Sequence, residues 1–300
     1  FTFIALTVLV SSCAKDDFSG GQQTGEVDFT IKTSLPKSIS TYSTDNGGAF
    51  NVDKEKYLLR YICEAWTKEN PRRLAWRSEQ TVGDFSSAVE FKARLLAMNY
   101  DFVFWADFVD KTDDPQDKHY KTTNLDGLQD IELITGHGLS DDTRDAYYAV
   151  QNVNLTQAGA NVTEVKLQRP FGKIRLVASD NVDGLLTDRP ALAKIDYVQT
   201  TLPAGFNALT KLTTEKVVNL EETYTSEPDV EQFMVDGQTK DCYVFSFDYI
   251  FASSSTPSVA FNVKSFSDKA GIKQIGNKDI SAIPVVANKL TTVIGNLYTF

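Results

Sequence analysis

The sequence predicts a mainly β protein made of antiparallel β-sandwiches, and three observations carry that expectation. Apolar residues recur with a period of two in one run after another. Clusters of Gly, Asn, Asp and Pro separate the runs. Helical periodicity is scarce, while 19 Phe and 12 Tyr favour strands.

The runs justify this in order. Val27, Phe29 and Ile31 alternate with Asp28, Thr30 and Lys32, and Val89, Phe91, Ala93 and Leu95 alternate with Glu90, Lys92 and Arg94. Tyr100, Phe102, Phe104, Ala106 and Phe108 fall on one face of the next run. Tyr243, Phe245, Phe247, Tyr249 and Phe251 are expected to share a face, and Val259, Phe261 and Val263 repeat the pattern. Such alternation puts each apolar set on one side of a pleated strand, so Phe102, Phe104, Phe245 and Phe247 are expected in the core. Turns are expected at Asn46-Gly47-Gly48, Met98-Asn99, Asp113-Asp114-Pro115, Asp126-Gly127, Asp236-Gly237 and Gly276-Asn277. A short helix is expected over 187–197, where Pro190 suits a first turn, and a weaker one over 140–149. No internal repeat stands out.

The 300 residues suffice for two domains, each with its own core. Arg169-Pro170-Phe171-Gly172 interrupts the alternation, which predicts an N-terminal sandwich over 26–167 and a C-terminal one over 168–300. Residues 1–10 form an uncharged apolar stretch too short to span a bilayer. It ends in Val10-Ser11-Ser12-Cys13, so residues 1–13 read as part of a lipoprotein signal peptide, with Cys13 as the lipidated residue. Residues 14–25 are polar and Gly-rich and read as a flexible tether.

The chemistry-bearing residues are few. A net charge of −10 and the lack of a basic cluster argue against nucleic acid as a partner. The two histidines, His119 and His137, are isolated and expected in exposed loops. The four carboxylates of 110–117 lack the glycine and the distal Glu of a calcium loop and read as a solvated turn. No nucleophile turn or phosphate loop occurs, and the expectation is a non-enzyme without cofactor or metal. Cys63 and Cys242 read as buried free thiols, with a disulfide as the other reading. Trp66, Trp76 and Trp105 are expected in the core rather than on a sugar platform.

Four segments carry a resemblance: YLLRYICEAW at 57–66, YDFVFWADFVD at 100–110, LQRPFGKIRL at 167–176 and LTTVIGNLYT at 290–299. With the Cys13 motif they resemble fimbrillin-like lipoproteins of Bacteroidota, the superfamily of FimA/Mfa1-type pilus proteins. The resemblance implies two transthyretin-like antiparallel β-sandwich domains and a surface-exposed, lipid-anchored protein of the outer membrane or fimbrium. It implies a pilus subunit, anchor or accessory adhesin that meets other fimbrillin-like subunits by donor-strand exchange, with a host or bacterial surface ligand. The strand carrying Val27, Phe29 and Ile31 is the candidate for exchange. Polymer-forming members are typically cut after an Arg in the first long loop, whereas 35–56 holds Lys37, Lys54 and Lys56 and no Arg. The family's last strand tends to run on past the segment at 290–299, which leaves open a truncated chain or a missing terminal donor strand. A carbohydrate-binding surface lipoprotein of a glycan-uptake system is the alternative.

Overall fold

The computed structural model describes residues 25–36, 52–155, 162–180, 188–253 and 258–298. The first half holds β1 (Glu26–Ser34), β2 (Tyr57–Thr67), β3 (Leu74–Val82), β4 (Val89–Leu96), β5 (Asn99–Asp110), β6 (Tyr120–Lys121), β7 (Ile131–Leu133), β8 (Ala146–Asn154) and β9 (Val162–Lys166). One antiparallel sheet has the order β3-β2-β5-β8, and a second has the order β4-β1-β9. Their facing sides bury one continuous cluster, which includes Phe29, Ile31, Leu59, Tyr61, Phe91, Phe102, Phe104 and Phe108. The alternation in β1, β4 and β5 therefore points where the sequence says it should.

The second half holds β10 (Phe171–Ala178), β11 (Leu192–Tyr197), β12 (Thr201–Pro203), β13 (Gly205–Asn207), β14 (Leu212–Thr213), β15 (Val217–Asn219) and β16 (Tyr224–Ser226). It continues with β17 (Asp229–Val235), β18 (Gln238–Phe251), β19 (Val259–Phe266), β20 (Gln274–Ile283) and β21 (Lys289–Gly295). Sheets of order β17-β18-β10-β21 and β16-β11-β19-β20 face each other over Ile174, Leu176, Ile195, Phe245, Phe261 and Val263. The fold is thus β-sandwich, as the period-two runs require.

Both halves share one wiring. In the first, β1 pairs antiparallel with β4 and parallel with β9. In the second, β10 pairs antiparallel with β18 and parallel with β21. The facing sheets correspond strand for strand, β3-β2-β5-β8 to β16-β11-β19-β20. This repeat lives in topology alone, because burial of one face fixes polarity pattern but not residue identity.

A small sheet, β14-β13-β7-β6, takes strands from both halves. It covers a third cluster, in which Ile62, Val103 and Trp105 meet Tyr120, Ile131, Phe206, Phe171 and Phe251. Hence β5 is buried on both faces, and its run YDFVFWADFV reads as nearly continuous apolar chain.

Several expectations are corrected. Residues 192–197 form a strand, not a helix: Ala193 and Ile195 are fully buried between β16 and β19, so tertiary pairing overrides the Pro190 helix signal. Within 140–149, Asp142–Arg144 is a single 3-10 turn, with the Asp141 carboxylate accepting from the Thr143 N–H at 2.9 Å, and β8 follows. Gly276-Asn277 lies inside β20. A Cβ on Gly276 would come within 2.6 Å of the Tyr298 backbone, so close packing rather than a turn requires the glycine. The turn falls at 268–273, where the Asp268 carboxylate accepts from the backbone N–H groups of Ile272 and Lys273. The Asp236-Gly237 turn stands, both residues having positive φ (53° and 77°) as a two-residue hairpin between β17 and β18 needs.

The aromatic run of β18 does not share one face. Its register with β10 shifts between Leu176↔Ser246 and Val177↔Val244. This bulge turns Tyr243 and Phe245 toward the second-half core but Phe247, Tyr249 and Phe251 toward the third cluster. Phe247 is consequently half-buried, under the Lys173 ammonium at 4.1 Å, rather than core.

Candidate functional site

The first strand is the feature with functional geometry. β1 is the middle strand of its sheet, with eight consecutive partners in β4, from Glu26↔Leu96 to Thr33↔Val89. On its other side it runs parallel to β9, through Ile31↔Val162, Thr33↔Val165 and Ser34↔Lys166. Its inward side chains are Val27, half-buried, Phe29 at 3% exposure, and Ile31 and Thr33 at 0%. Phe29 packs on Phe102 of the opposite sheet. Thr33 was not among the expected residues, although it continues the same period of two. Its hydroxyl donates to the Val165 carbonyl at 3.2 Å, tying β1 to β9.

The outer face of β1 carries exposed ion pairs, Glu26 with Arg94 (2.8 Å) and Lys32 with Glu90 (3.4 Å), which add little stability. Retention of the strand therefore rests on its inward side chains and two backbone ladders. Without β1, Phe91, Ala93, Leu95 and Phe102 would face an open slot, and the β4 and β9 edges would present unpaired N–H and C=O groups. Such a slot accepts another alternating strand by main-chain hydrogen bonding, with pockets for alternate side chains.

The joint between the halves is held by buried charge. Leu167–Pro170 carries the chain from β9 to β10. Arg169 forks onto the Asp145 carboxylate, its Nε donating at 2.7 and 2.9 Å, while its Nη2 donates to the Tyr147 hydroxyl at 2.7 Å. The Arg169 backbone N–H donates to Asn288 Oδ1 at 3.1 Å. Nearby, Asp248 accepts from Tyr197 Oη and lies 3.1 Å from His137 Nε2 and 3.3 Å from Arg144 Nη1. Burial alone would raise the Asp248 carboxyl, but His137, Arg144 and the Tyr197 hydroxyl outweigh it and hold the group below the usual range.

His119 and His137 are buried, not exposed, at 7% and 8%. Each imidazole is drawn in by hydroxyls: His119 meets Thr135 at 3.1 Å and Thr143 at 2.7 Å, and His137 meets Tyr197 at 3.3 Å. Burial pulls His119 down to about 4; Asp141 opposes this, and Arg144 and Lys118 reinforce it. Isolated histidines in Gly- and Asp-rich loops gave no sequence signal for this placement.

The remaining sequence candidates disperse. Cys13 lies outside the described residues, as do 1–24 and 37–51. Cys63 and Cys242 are buried free thiols. In the acidic loop, Asp117 turns inward to Arg60 at 2.7 Å while Asp110 meets Lys118 at 2.9 Å. Among the described residues no three His, Cys, Asp or Glu side chains gather as metal ligands, and no helix is long and apolar enough to cross a membrane. Trp66 and Trp105 are buried, and the half-buried Trp76 packs edge-on to Phe91, so the three make no exposed platform. The buried carboxylates are engaged: Glu64 accepts from Trp66 Nε1 and the Leu128 N–H, and Asp107 pairs with Arg60.

No curated protein matches the chain. Solved structures resemble it at low identity. A candidate adhesin from Bacteroides thetaiotaomicron is 14% identical over 87% of this chain and 81% of that one, with a TM-score of 0.47. A candidate polysaccharide-binding protein from the same organism is 14% identical over 89% and 90%, with a TM-score of 0.49. The tip fimbrial protein Mfa3 from Porphyromonas gingivalis, with C-terminal truncation, is 11% identical over 86% and 84%, with a TM-score of 0.42. Residues 21–300 match the sequence profile of a family of unknown function, DUF6562, and the chain belongs to that family.

Proposed function

We propose that this protein is a surface-exposed, lipid-anchored fimbrillin-like protein, without enzymatic activity, that joins other subunits by β-strand exchange as a pilus subunit, anchor or accessory adhesin. One observation carries the reading: the first described strand fills the centre of a sheet. Because β1 is the first strand among the described residues, a single cut within 37–51 would separate it from every other described strand. In the second half the equivalent strand, β10, is continuous with chain on both sides and cannot be released in that way. The sequence resemblance supports the same assignment, and the Cys13 motif supports the anchor.

Two experiments test the reading. Replacing Cys13 with Ala should release the protein from the membrane fraction; a variant that stays membrane-bound without other lipid would refute the anchor. A protease site placed within 37–51, cut under native conditions, should yield detergent-resistant multimers as strands exchange. Cleaved protein that remains monomeric would assign a static role.

A further inference from the structure

We infer that each half of the molecule is a shear clamp, so that the chain carries tension from end to end without unravelling. The observation is the parallel pairing of first strand with last strand in both halves, β1 with β9 and β10 with β21. In a parallel pair the N-terminal end of one strand and the C-terminal end of the other lie at opposite ends. Tension on the chain enters the first half at the start of β1 and leaves at the end of β9. It enters the second half at the start of β10 and leaves at the end of β21. Both pairs are thus pulled along their own axes in opposite directions. All ladder hydrogen bonds must then yield together, with the side-chain packing, rather than one after another from an end.

The second clamp is the more regular. Seven consecutive pairs run from Gly172↔Lys289 to Ala178↔Gly295. Both ends are fastened: the Asn288 N–H donates to the Phe171 carbonyl at 2.8 Å, and the Ser179 N–H donates to the Gly295 carbonyl at 2.8 Å. Beyond it, the Asp180 carboxylate accepts from the Leu297 and Tyr298 N–H groups at 2.7 and 3.0 Å, binding the chain leaving β10 to the chain leaving β21. The first clamp has a bulge between Ile31 and Thr33, but β1 is also held along its length by β4 and by the Thr33 hydroxyl. Between the clamps, the covalent path of the tension is Leu167–Pro170, where Arg169 is pinned to Asp145 and Asn288.

The biological use of such clamps rests on the surface-anchored reading above, whereas the mechanics do not, so the test below can fail independently of strand exchange. The experiment is single-molecule force spectroscopy on the full chain in two pulling geometries. Handles at the two chain termini load both clamps in shear. Cysteine handles at Ser179 and Asn296 load β10 and β21 from the same end and open them like a zipper; a second same-end pair, Pro36 and Lys166, does this for β1 and β9. The clamps predict that end-to-end unfolding needs several-fold more force than either same-end pair. Equal forces in the two geometries would overturn the inference.

Discussion

The Phe29 ring of the first strand rests 4.6 Å, centroid to centroid, from the Phe102 ring of β5, with the planes tilted by 32°. The contact joins the middle strand of one sheet to a central strand of the other, across the core of the first half. Phe29 is the bulkiest inward side chain of β1: Ile31 is fully buried beside it but smaller, Val27 is only half-buried and Thr33 is small.

Replacing Phe29 with Ala should cost about 3–5 kcal/mol, the usual range for a buried aromatic. Phe102→Ala should cost a similar amount, with a coupling of about 0.5–1.5 kcal/mol between the two sites from the ring contact. Urea unfolding of the two single variants and the double variant measures this. Additive losses would mean that the rings do not interact.

Arg169 and Asp145 are both nearly fully buried. Arg169→Met leaves the Asp145 carboxylate without its cation and should destabilise by about 3–5 kcal/mol. The double variant Arg169→Met/Asp145→Leu should recover most of that loss, because the desolvation cost disappears with the charge. A double variant no more stable than Arg169→Met would assign the loss to packing rather than to charge.

His119 gives a signed pH dependence. Its imidazole titrates at about 4 when folded, against 6.5 for the free side chain, so the unfolded chain binds the extra proton first. Its contribution to stability is fully present above 6.5 and is lost as pH falls from 6.5 to 4. The groups around it are Asp141, Arg144, Lys118 and Asp110, with the Thr135 and Thr143 hydroxyls in contact. His119→Gln should flatten the fall of melting temperature across that window. An unchanged slope would place the acid sensitivity elsewhere.

How far the sequence reveals this structure depends on how many neighbours act on a residue. Phe29 and Phe91 are legible because one buried face per strand writes a period of two, and Phe102 because the nearly continuous apolar run of β5 marks a strand buried on both faces. The turn at Asp236-Gly237 is legible because positive φ at both positions selects those residues. Phe247 is not, because a bulge depends on the partner strand and leaves no local mark. β11 is misread because ALAKIDY suits a helix until β16 and β19 pair with it. The strands of β6, β7, β13 and β14 have two or three residues each, too few to show any period, so the third core is invisible in advance. For the candidate site, Val27, Phe29 and Ile31 are legible as an alternating strand, but its place between β4 and β9 is a property of the tertiary fold.

The measurement that bears most directly on a replaceable first strand is cross-chain disulfide trapping. Thr30 and Lys92 are register partners on the outer face of β1 and β4, half-buried and exposed respectively. Two variants with Cys13 replaced, one carrying Thr30→Cys and the other Lys92→Cys, are each cut at a protease site placed within 37–51 and then mixed. Strand replacement predicts a disulfide between residue 30 of one chain and residue 92 of another, accumulating with time and only after cleavage. Absence of the cross-chain product, with each 26–34 strand still bound to its own chain, would contradict it.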